Sequence, residues 1–203
     1  MTQISDFLQK CRTFFPIALL AICAVGCNNF PIPPNSDDFS GVTLTGVQHI
    51  GPDFNIAEFY VDGYYGSNVG REGGGGHHVC CVILPNKWRP GLSVEVRWSV
   101  GNWGKLDRTK TALGDYSSLT FERYKAQVPV EQYQSAERMY VHFFSEGRIR
   151  VVSSSSGPRS SLHPIVGNDP GAVETATAGV HVDALFSESE LAKMSAERRR
   201  SGQ

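Results

Sequence analysis

The sequence lacks the features that mark several large classes of protein. Its formal net charge is only −1 over 203 residues, so it has no excess of Lys and Arg with which to neutralise a nucleic-acid backbone. It has no apolar run of about 18 residues, the length that a transmembrane helix needs. The motifs HExxH, CxxC and GxSxG are also absent. We therefore expect no nucleic-acid partner, no metal, no cofactor and no small-molecule substrate, and we do not predict an enzyme.

Enough apolar sequence is present to build a folded domain. Hydrophobic residues make up 40% of the chain and aromatic residues 10%, which is sufficient to bury a core. The 21 glycines and 11 prolines predict frequent turns, and they favour many short strands over long helices.

The N-terminus has the pattern of a secretory signal. Lys10 and Arg12 form a short basic region, and an apolar run over residues 13–25 follows it. The run ends in Ala-Val-Gly-Cys, which resembles the lipobox of bacterial lipoproteins, where the cysteine is acylated and becomes the first residue after cleavage. We expect residues 1–26 to be a lipoprotein signal peptide and Cys27 to carry lipid. An ordinary signal peptide cleaved nearby and an uncleaved anchor are the alternatives.

Residues 27–40 are rich in Pro and Asn, a composition typical of an extended tether that holds a domain clear of a membrane. Because Asn28 rather than Asp follows the cysteine, general lipoprotein sorting predicts the outer membrane, with the domain facing the periplasm. After cleavage and acylation, Cys80 and Cys81 would be the two thiols left in that oxidising compartment.

Short β-strands dominate the pattern between residues 41 and 152. Apolar and polar residues alternate clearly at residues 92–100, which predicts a half-buried strand. Further strands are predicted at residues 42–47, 56–61, 79–84, 119–125, 139–144 and 148–152. Residues 79–84 are continuously apolar, so we expect burial of both faces there. Because no crossover helices separate the strands, we predict a mainly β fold, an antiparallel β-sandwich or open barrel.

Two segments follow the β domain. Residues 153–172 are rich in Ser, Gly and Pro and are interpreted as a linker or loop. In residues 173–203 the pattern changes: Ser187 and Glu190 have the spacing of a capping box, in which each side chain satisfies a free amide at the start of a helix. We therefore predict a short C-terminal helix.

Four consecutive glycines, Gly73, Gly74, Gly75 and Gly76, invite comparison with a phosphate-binding loop. A P-loop needs Gly-Lys-Ser/Thr opening a helix, and a dinucleotide fingerprint also needs a following helix. Here two histidines and a predicted strand follow instead, so we exclude both motifs. A flexible loop between strands is one interpretation, and a loop that lets a partner's backbone approach closely is the other.

Two adjacent pairs, His77-His78 and Cys80-Cys81, lie beside this run. Neighbouring residues of a strand point to opposite sides, whereas metal ligands need to reach one face, so we do not predict a metal site. Adjacent Cα atoms are about 3.8 Å apart, below the usual disulfide range of about 4.4–6.8 Å. The sequence leaves two states open: a strained disulfide between Cys80 and Cys81, or two small buried hydrophobic side chains on opposite strand faces.

Two turn-like stretches supply candidate contacts with a partner. Trp88 and Arg89 lie in a Pro-rich turn, and tryptophan and arginine often dominate protein interfaces. Tyr64 and Asn68 lie in the other stretch. We predict partner contacts at these four residues and at the four glycines, with packing of the aromatic rings over the core as the alternative.

The lipobox, the turn with Tyr64, Gly66 and Asn68, the glycine run and the pattern CCV-x-LP-x-x-W-x-PG at residues 80–91 together resemble a known family. Its members are small proteobacterial lipoproteins that carry a domain of unknown function, and the resemblance covers roughly residues 42–152. They are often encoded beside type VI secretion lipase effectors. This neighbourhood implies that some of them are immunity proteins, which neutralise a toxic phospholipase in the periplasm.

The anchor, the missing catalytic motifs and the resemblance together predict a lipid-anchored periplasmic protein that binds another protein, an effector lipase that it inhibits. Two other classes stay open. One is an envelope structural or assembly lipoprotein that binds a secretion-machine component or a cell-wall polymer. The other is a lipid-anchored hydrolase whose catalytic residues come from distant loops.

Overall fold

The computed structural model describes residues 38–74, 77–166 and 170–200. The predicted signal peptide and most of the predicted tether, with Cys27, lie outside these ranges, as do Gly75 and Gly76. The elements are β1 (Phe39–Gln48), β2 (Phe54–Val61), β3 (Tyr64–Tyr65), β4 (Val79–Pro85), β5 (Ser93–Asn102), α1 (Arg108–Ala112), β6 (Thr120–Pro129), β7 (Met139–Phe144), β8 (Arg148–Ser153), α2 (Pro170–Glu174), β9 (Thr177–Ala178), β10 (Val180–His181) and α3 (Glu188–Arg200).

The strands form two five-stranded sheets. Sheet A has the order β4-β1-β7-β8-β9, and sheet B has the order β10-β6-β5-β2-β3. The sheets pack face to face and stay open at their edges, so the fold is sandwich-like and is not a closed barrel. The predicted fold class, mainly β with a short C-terminal helix, is confirmed.

The two sheets bury one apolar core between them. Phe143 of sheet A lies edge-on to Phe59 of sheet B with ring centroids 5.2 Å apart, and its centroid is 6.1 Å from that of Trp98. All three side chains are fully buried. Burial of a large apolar side chain contributes about 1.5–3 kcal/mol, so these rings are a main source of the stability that holds the sheets together.

One strand pair departs from the antiparallel prediction. Strands β1 and β7 run parallel, with Leu44 opposite Met139 and Gln48 opposite Phe143. A parallel pair needs a long connection, which is usually a crossover helix. Here the chain builds β2 to β6 and the five-residue helix α1 between the two strands, so the strands of the two sheets provide the connection in place of a crossover helix.

The prediction that residues 79–84 are buried on both faces is wrong. Val82 and Leu84 point into the core, but Ile83 is 50% exposed. Strand β4 is the edge strand of sheet A, and its outer face lies beside Gly41 of β1. Because glycine has no side chain, this neighbour leaves the outer face of the strand open to solvent.

Strand β5 is more buried than its alternation predicts. Val94, Val96 and Trp98 point into the core as expected, but Arg97 and Ser99 on the opposite face are also buried. The reason is that the C-terminal segment crosses this face, where the carbonyl oxygen of Leu185 accepts a hydrogen bond from Arg97 at 2.7 Å.

The predicted capping box begins the C-terminal helix. The Ser187 amide donates to Glu190 Oε2 at 2.8 Å, and the Glu190 amide donates to Ser187 Oγ at 3.3 Å. Helix α3 then runs to Arg200. Among the described residues, none of the helices combines the length and the apolar character needed to cross a membrane.

Candidate functional site

The β2–β3 hairpin presents Tyr64, which the sequence singles out as a contact residue, and its neighbour Tyr65. Asp62 and Gly63 form its two-residue turn, with φ of +47° and +82°, the left-handed conformation that such turns require. Tyr64 and Tyr65 follow and are 46% and 50% exposed. The predicted contact residue Tyr64 is therefore accessible to a partner.

The stretch from Gly66 to Gly74 is a strap that connects the two sheets. On the side of sheet B, the amides and carbonyls of Val69 and Ile56 bond each other at 2.8 and 3.0 Å. On the side of sheet A, Gly73 accepts a hydrogen bond from the Gln48 amide at 2.8 Å. Gly73 and Gly74, the described glycines of the run, thus both pair with the backbone of β1. The predicted contact residue Asn68 is exposed on the strap.

Trp88 packs against the core and donates its indole N–H to the Val130 carbonyl at 2.8 Å. This is the core packing expected under the alternative, and the predicted partner contact at the partly buried Trp88 stays a prediction. Its neighbour Arg89 is exposed.

Cys80 and Cys81 are joined by a disulfide, and the peptide bond between them is cis. Cys80 is exposed and Cys81 is half-buried, in the edge strand β4. The structure therefore differs from the alternative in which both are buried hydrophobic side chains.

A cleft that sequence reasoning missed lies between the strap and the end of β5. Its volume is about 670 Å³, and its lining residues are Pro52, Asn55, Gly70, Arg71, Glu72 and Trp103. Trp103 donates its indole N–H to Asn55 Oδ1 at 2.7 Å, and Arg71 donates Nε to the Pro52 carbonyl at 2.5 Å. These bonds orient the Trp103 ring and the Arg71 guanidinium group. The central carbon of the guanidinium group, Cζ, lies 5.9 Å from the centroid of the Trp103 ring.

Exposed aromatic side chains lie next to two of the residues that line this cleft. The connection from β5 to β6 carries Tyr116, 49% exposed with its ring 6.3 Å from that of Trp103, and Leu113, 84% exposed at the end of α1. Phe121, 42% exposed, lies next to Asn55 across Gly101, where a side chain would collide with Asn55. We call this surface the Trp103 face: Asn55, Arg71, Trp103, Tyr116 and Phe121.

A second polar feature ties the C-terminal segment to sheet B. Arg97 donates hydrogen bonds to Glu95 at 2.6 Å, to the Leu185 carbonyl at 2.7 Å and to Glu190 at 2.7 Å. The bond from Arg97 is the main cause that lowers the pKa of Glu190 to about 2. Burial by itself would raise the pKa of Glu95, but hydrogen bonds from Lys125 and Arg97 hold it below its ordinary value. These bonds dock α3 on the sheet.

The adjacent histidines of the sequence do not come together as metal ligands. His77 and His78 are exposed, and His78 Nδ1 lies 2.7 Å from Thr45 Oγ1. Within residues 38–74, 77–166 and 170–200, no group of three or more His, Cys, Asp or Glu side chains is placed to hold a metal ion.

Three other histidines form a hydrogen-bonded row on the outer face of sheet A. His49 Nε2 lies 2.9 Å from His142 Nδ1, and His142 Nε2 lies 3.0 Å from His163 Nε2. At the far end, His163 Nδ1 lies 2.8 Å from the Ser156 carbonyl oxygen. His142 and His163 are 0% and 3% exposed, and His49 is half-buried. We call these three residues the histidine row.

Burial controls the protonation of the histidine row. It is the main cause that lowers the pKa of His49, and it lowers that of His163 although Ser156 and Glu131 act in the opposite direction. For His142, burial together with its two histidine neighbours and Arg150 lowers the pKa well below its ordinary value. The row is therefore neutral at neutral pH.

Residues 52–151 match the model of a family described as "Protein of unknown function (DUF3304)". Comparison with curated proteins and with solved structures finds no match. The resemblance to a family with a domain of unknown function is confirmed to that extent, whereas its lipoprotein, proteobacterial and secretion context stays a prediction. The Trp103 face lies wholly inside the matched domain, and His49 and His163 lie outside it.

Proposed function

We propose that this chain is a lipid-anchored periplasmic protein that binds and inhibits a lipase effector of type VI secretion. In this proposal Cys27 carries the lipid, the outer membrane holds the anchor, and the Trp103 face contacts the lipase. The single observation that supports the binding role best is the Trp103 face itself, where exposed aromatic rings lie beside a cleft that contains a hydrogen-bonded arginine.

The composition of this face suits a protein interface. Tryptophan, tyrosine and arginine carry most of the binding energy in known interfaces, and they act best around a pocket that excludes water. Trp103 and Arg71 are held by hydrogen bonds to Asn55 and Pro52. The binding of a partner therefore costs little conformational entropy at these two side chains.

The chemistry of the cleft indicates the kind of segment that enters it. Arg71 NH2 lies 3.8 Å from Asp53 Oδ1, beyond hydrogen-bond distance, and both side chains are about half exposed or more. A carboxylate from the partner can therefore bind the guanidinium group, while an apolar side chain packs on Trp103. A lipase loop with an acidic residue next to a large apolar one would satisfy both requirements.

Inhibition would follow from position as well as from affinity. A lipase acts at a membrane surface, and an inhibitor tethered to that surface meets it at a high effective concentration. A bound sandwich of two five-stranded sheets over the lipase would also prevent the active site from approaching lipid.

The proposal is tested by the affinity of the chain for a lipase effector of type VI secretion, if one is encoded beside its gene. Trp103→Ala should weaken the complex about 30-fold or more, because truncating a central aromatic anchor costs at least about 2 kcal/mol. Leu162→Ala is the control, since Leu162 is 81% exposed but lies outside the Trp103 face; its affinity should equal that of the wild type. Calorimetric titration of the purified proteins gives both values.

Two results would count against this function. If the wild-type chain forms no complex with the lipase but binds cell-wall fragments or a component of the secretion machine, the alternative of an assembly lipoprotein replaces it. If Leu162→Ala weakens the complex and Trp103→Ala does not, the Trp103 face is not the contact surface.

A further inference from the structure

The histidine row has a fixed order of donors and acceptors. A carbonyl oxygen can only accept, so His163 must carry its proton on Nδ1 to bond Ser156. When the His163 ring is neutral, its Nε2 is then unprotonated and can only accept, so His142 must donate from its own Nε2. By the same logic His142 Nδ1 is bare and accepts from His49 Nε2. One terminal carbonyl thus determines the tautomer of all three rings.

This arrangement can hold one extra proton but not two. Each of the three contacts needs one hydrogen between its two heavy atoms, and His49 Nδ1 can carry a fourth. One added proton can therefore sit on any of the rings if the hydrogens between the rings shift along the row. A second added proton would place two N–H groups against each other, and one contact would have to break.

The charged groups around the row favour one end for the first proton. Arg150 of β8 lies opposite His142 in the sheet and opposes a positive charge there. Glu131, which accepts a hydrogen bond from Arg150 at 2.6 Å, favours a charge on His163. Tyr140 packs edge-on against His163 and accepts a hydrogen bond from Arg138 at 2.8 Å, while Phe144 stacks on His49.

The row holds one loop against the sandwich. His163 and Ser156 both belong to residues 154–166, and His163 contacts His142 and Tyr140 on the outer face of sheet A. Ile165 of the same loop is 1% exposed and packs in a cluster with Val47, Tyr140 and Phe144. The contact between His142 and His163 is thus the polar half of an attachment whose apolar half is Ile165.

We propose that the histidine row is an acid-sensitive latch. It holds residues 154–166 against sheet A while it carries at most one extra proton, and it releases them when it takes up a second. Release exposes the apolar cluster around Tyr140 to solvent and leaves the core between the sheets intact.

The latch is tested by hydrogen exchange of the full chain between pH 7.5 and 5.0, with rates corrected for intrinsic exchange. When residues 154–166 are released, His163 of the loop and His142 and His49 of sheet A are all exposed to solvent, where they titrate near pH 6.5. Opening therefore takes up at least two protons at the acid end of this range. The opening equilibrium of residues 154–166 should then rise by about 100-fold per pH unit. Amides of β5, in the core, should keep their protection.

His163→Gln removes one titrating group and keeps an acceptor for His142 and a donor for Ser156. The rise should fall to about 10-fold per pH unit, because opening takes up one proton fewer. His77→Gln is the control, since His77 is exposed and lies outside the row; its profile should match the wild type. An unchanged slope in His163→Gln, a wild-type loop whose protection does not depend on pH, or equal losses in β5 would each overturn the proposal.

A second measurement does not depend on any variant. Nitrogen-15 spectra of the histidine rings at pH 7.5 should show His163 protonated on Nδ1, and His49 and His142 protonated on Nε2. Any other set of tautomers would show that the row lacks the order on which the latch rests.

Discussion

Gly66 shows how a single residue sets the geometry of the strap. A side chain at this position would place its Cβ 2.2 Å from Cε2 of Phe59, a ring that is fully buried between the sheets. Gly46 on the opposite sheet faces the same ring, at 2.9 Å. The strap can therefore cross the sandwich at this depth only because both positions lack a side chain.

We expect Gly66→Ala to lower the free energy of unfolding by about 1–3 kcal/mol, the usual cost of overpacking a core. Gly157→Ala is the matched control, because its Cβ would meet nothing within 4 Å, and it should change the stability by less than about 0.5 kcal/mol. Urea denaturation of the two variants provides the comparison. Equal stabilities would mean that Phe59 moves aside at no cost.

Single residues were the hardest features to predict from the sequence. Trp88 lies in a turn typical of a partner contact, and the local sequence does not show that its indole N–H donates a hydrogen bond to the distant Val130 carbonyl. Trp103 follows the best-patterned strand and belongs to no local motif, so its role emerges only when the strap brings Arg71 beside it. The histidine row joins residues up to 114 positions apart, and no spacing rule covers such a set.

At the level of elements, α3 depends on an ion pair with the sheet as much as on its own capping box. Glu190 is both the capping residue for Ser187 and the partner of the buried Arg97. Its pKa is about 2, against an ordinary value near 4.5. A carboxyl group with a lowered pKa stabilises the docked helix above its ordinary pKa, and that contribution is lost as pH falls toward the lowered value.

We therefore expect the amides of α3 to lose protection between about pH 4.5 and pH 2. In Glu190→Gln the helix should already be less protected at neutral pH, and this step should be weaker. Glu197→Gln, an exposed position of the same helix, should behave like the wild type. Hydrogen exchange of the three proteins measures the difference, and identical pH profiles would contradict the role of the ion pair.

Elements with a strong local pattern were predicted well. Alternation located β5, and the Ser187 and Glu190 spacing located α3, because both signals arise within a few neighbouring residues. The two-residue strands β3, β9 and β10 escaped prediction because pairing partners define them. The parallel pairing of β1 with β7 and the open face of β4 depend on the order of strands in sheet A, which the local sequence does not encode.

On the scale of the whole molecule, the Trp103 face and the histidine row belong to different sheets. The Trp103 face belongs to the end of sheet B where β2 begins and β5 ends, whereas the histidine row lies on the outer face of sheet A. The proposed binding and the proposed acid response are therefore tested with different variants, Trp103→Ala and His163→Gln. The predicted lipid on Cys27 would keep both near the membrane on which a lipase acts.

The central proposal is that the chain inhibits a lipase effector of type VI secretion. The most direct test is the rate at which the purified lipase hydrolyses phospholipid vesicles as the purified chain is added. We expect the rate to fall in proportion to the added chain and to reach its minimum near a one-to-one ratio, and Trp103→Ala should shift this curve to higher concentrations. A lipase that keeps its full rate in a large molar excess of the wild-type chain would contradict the claim.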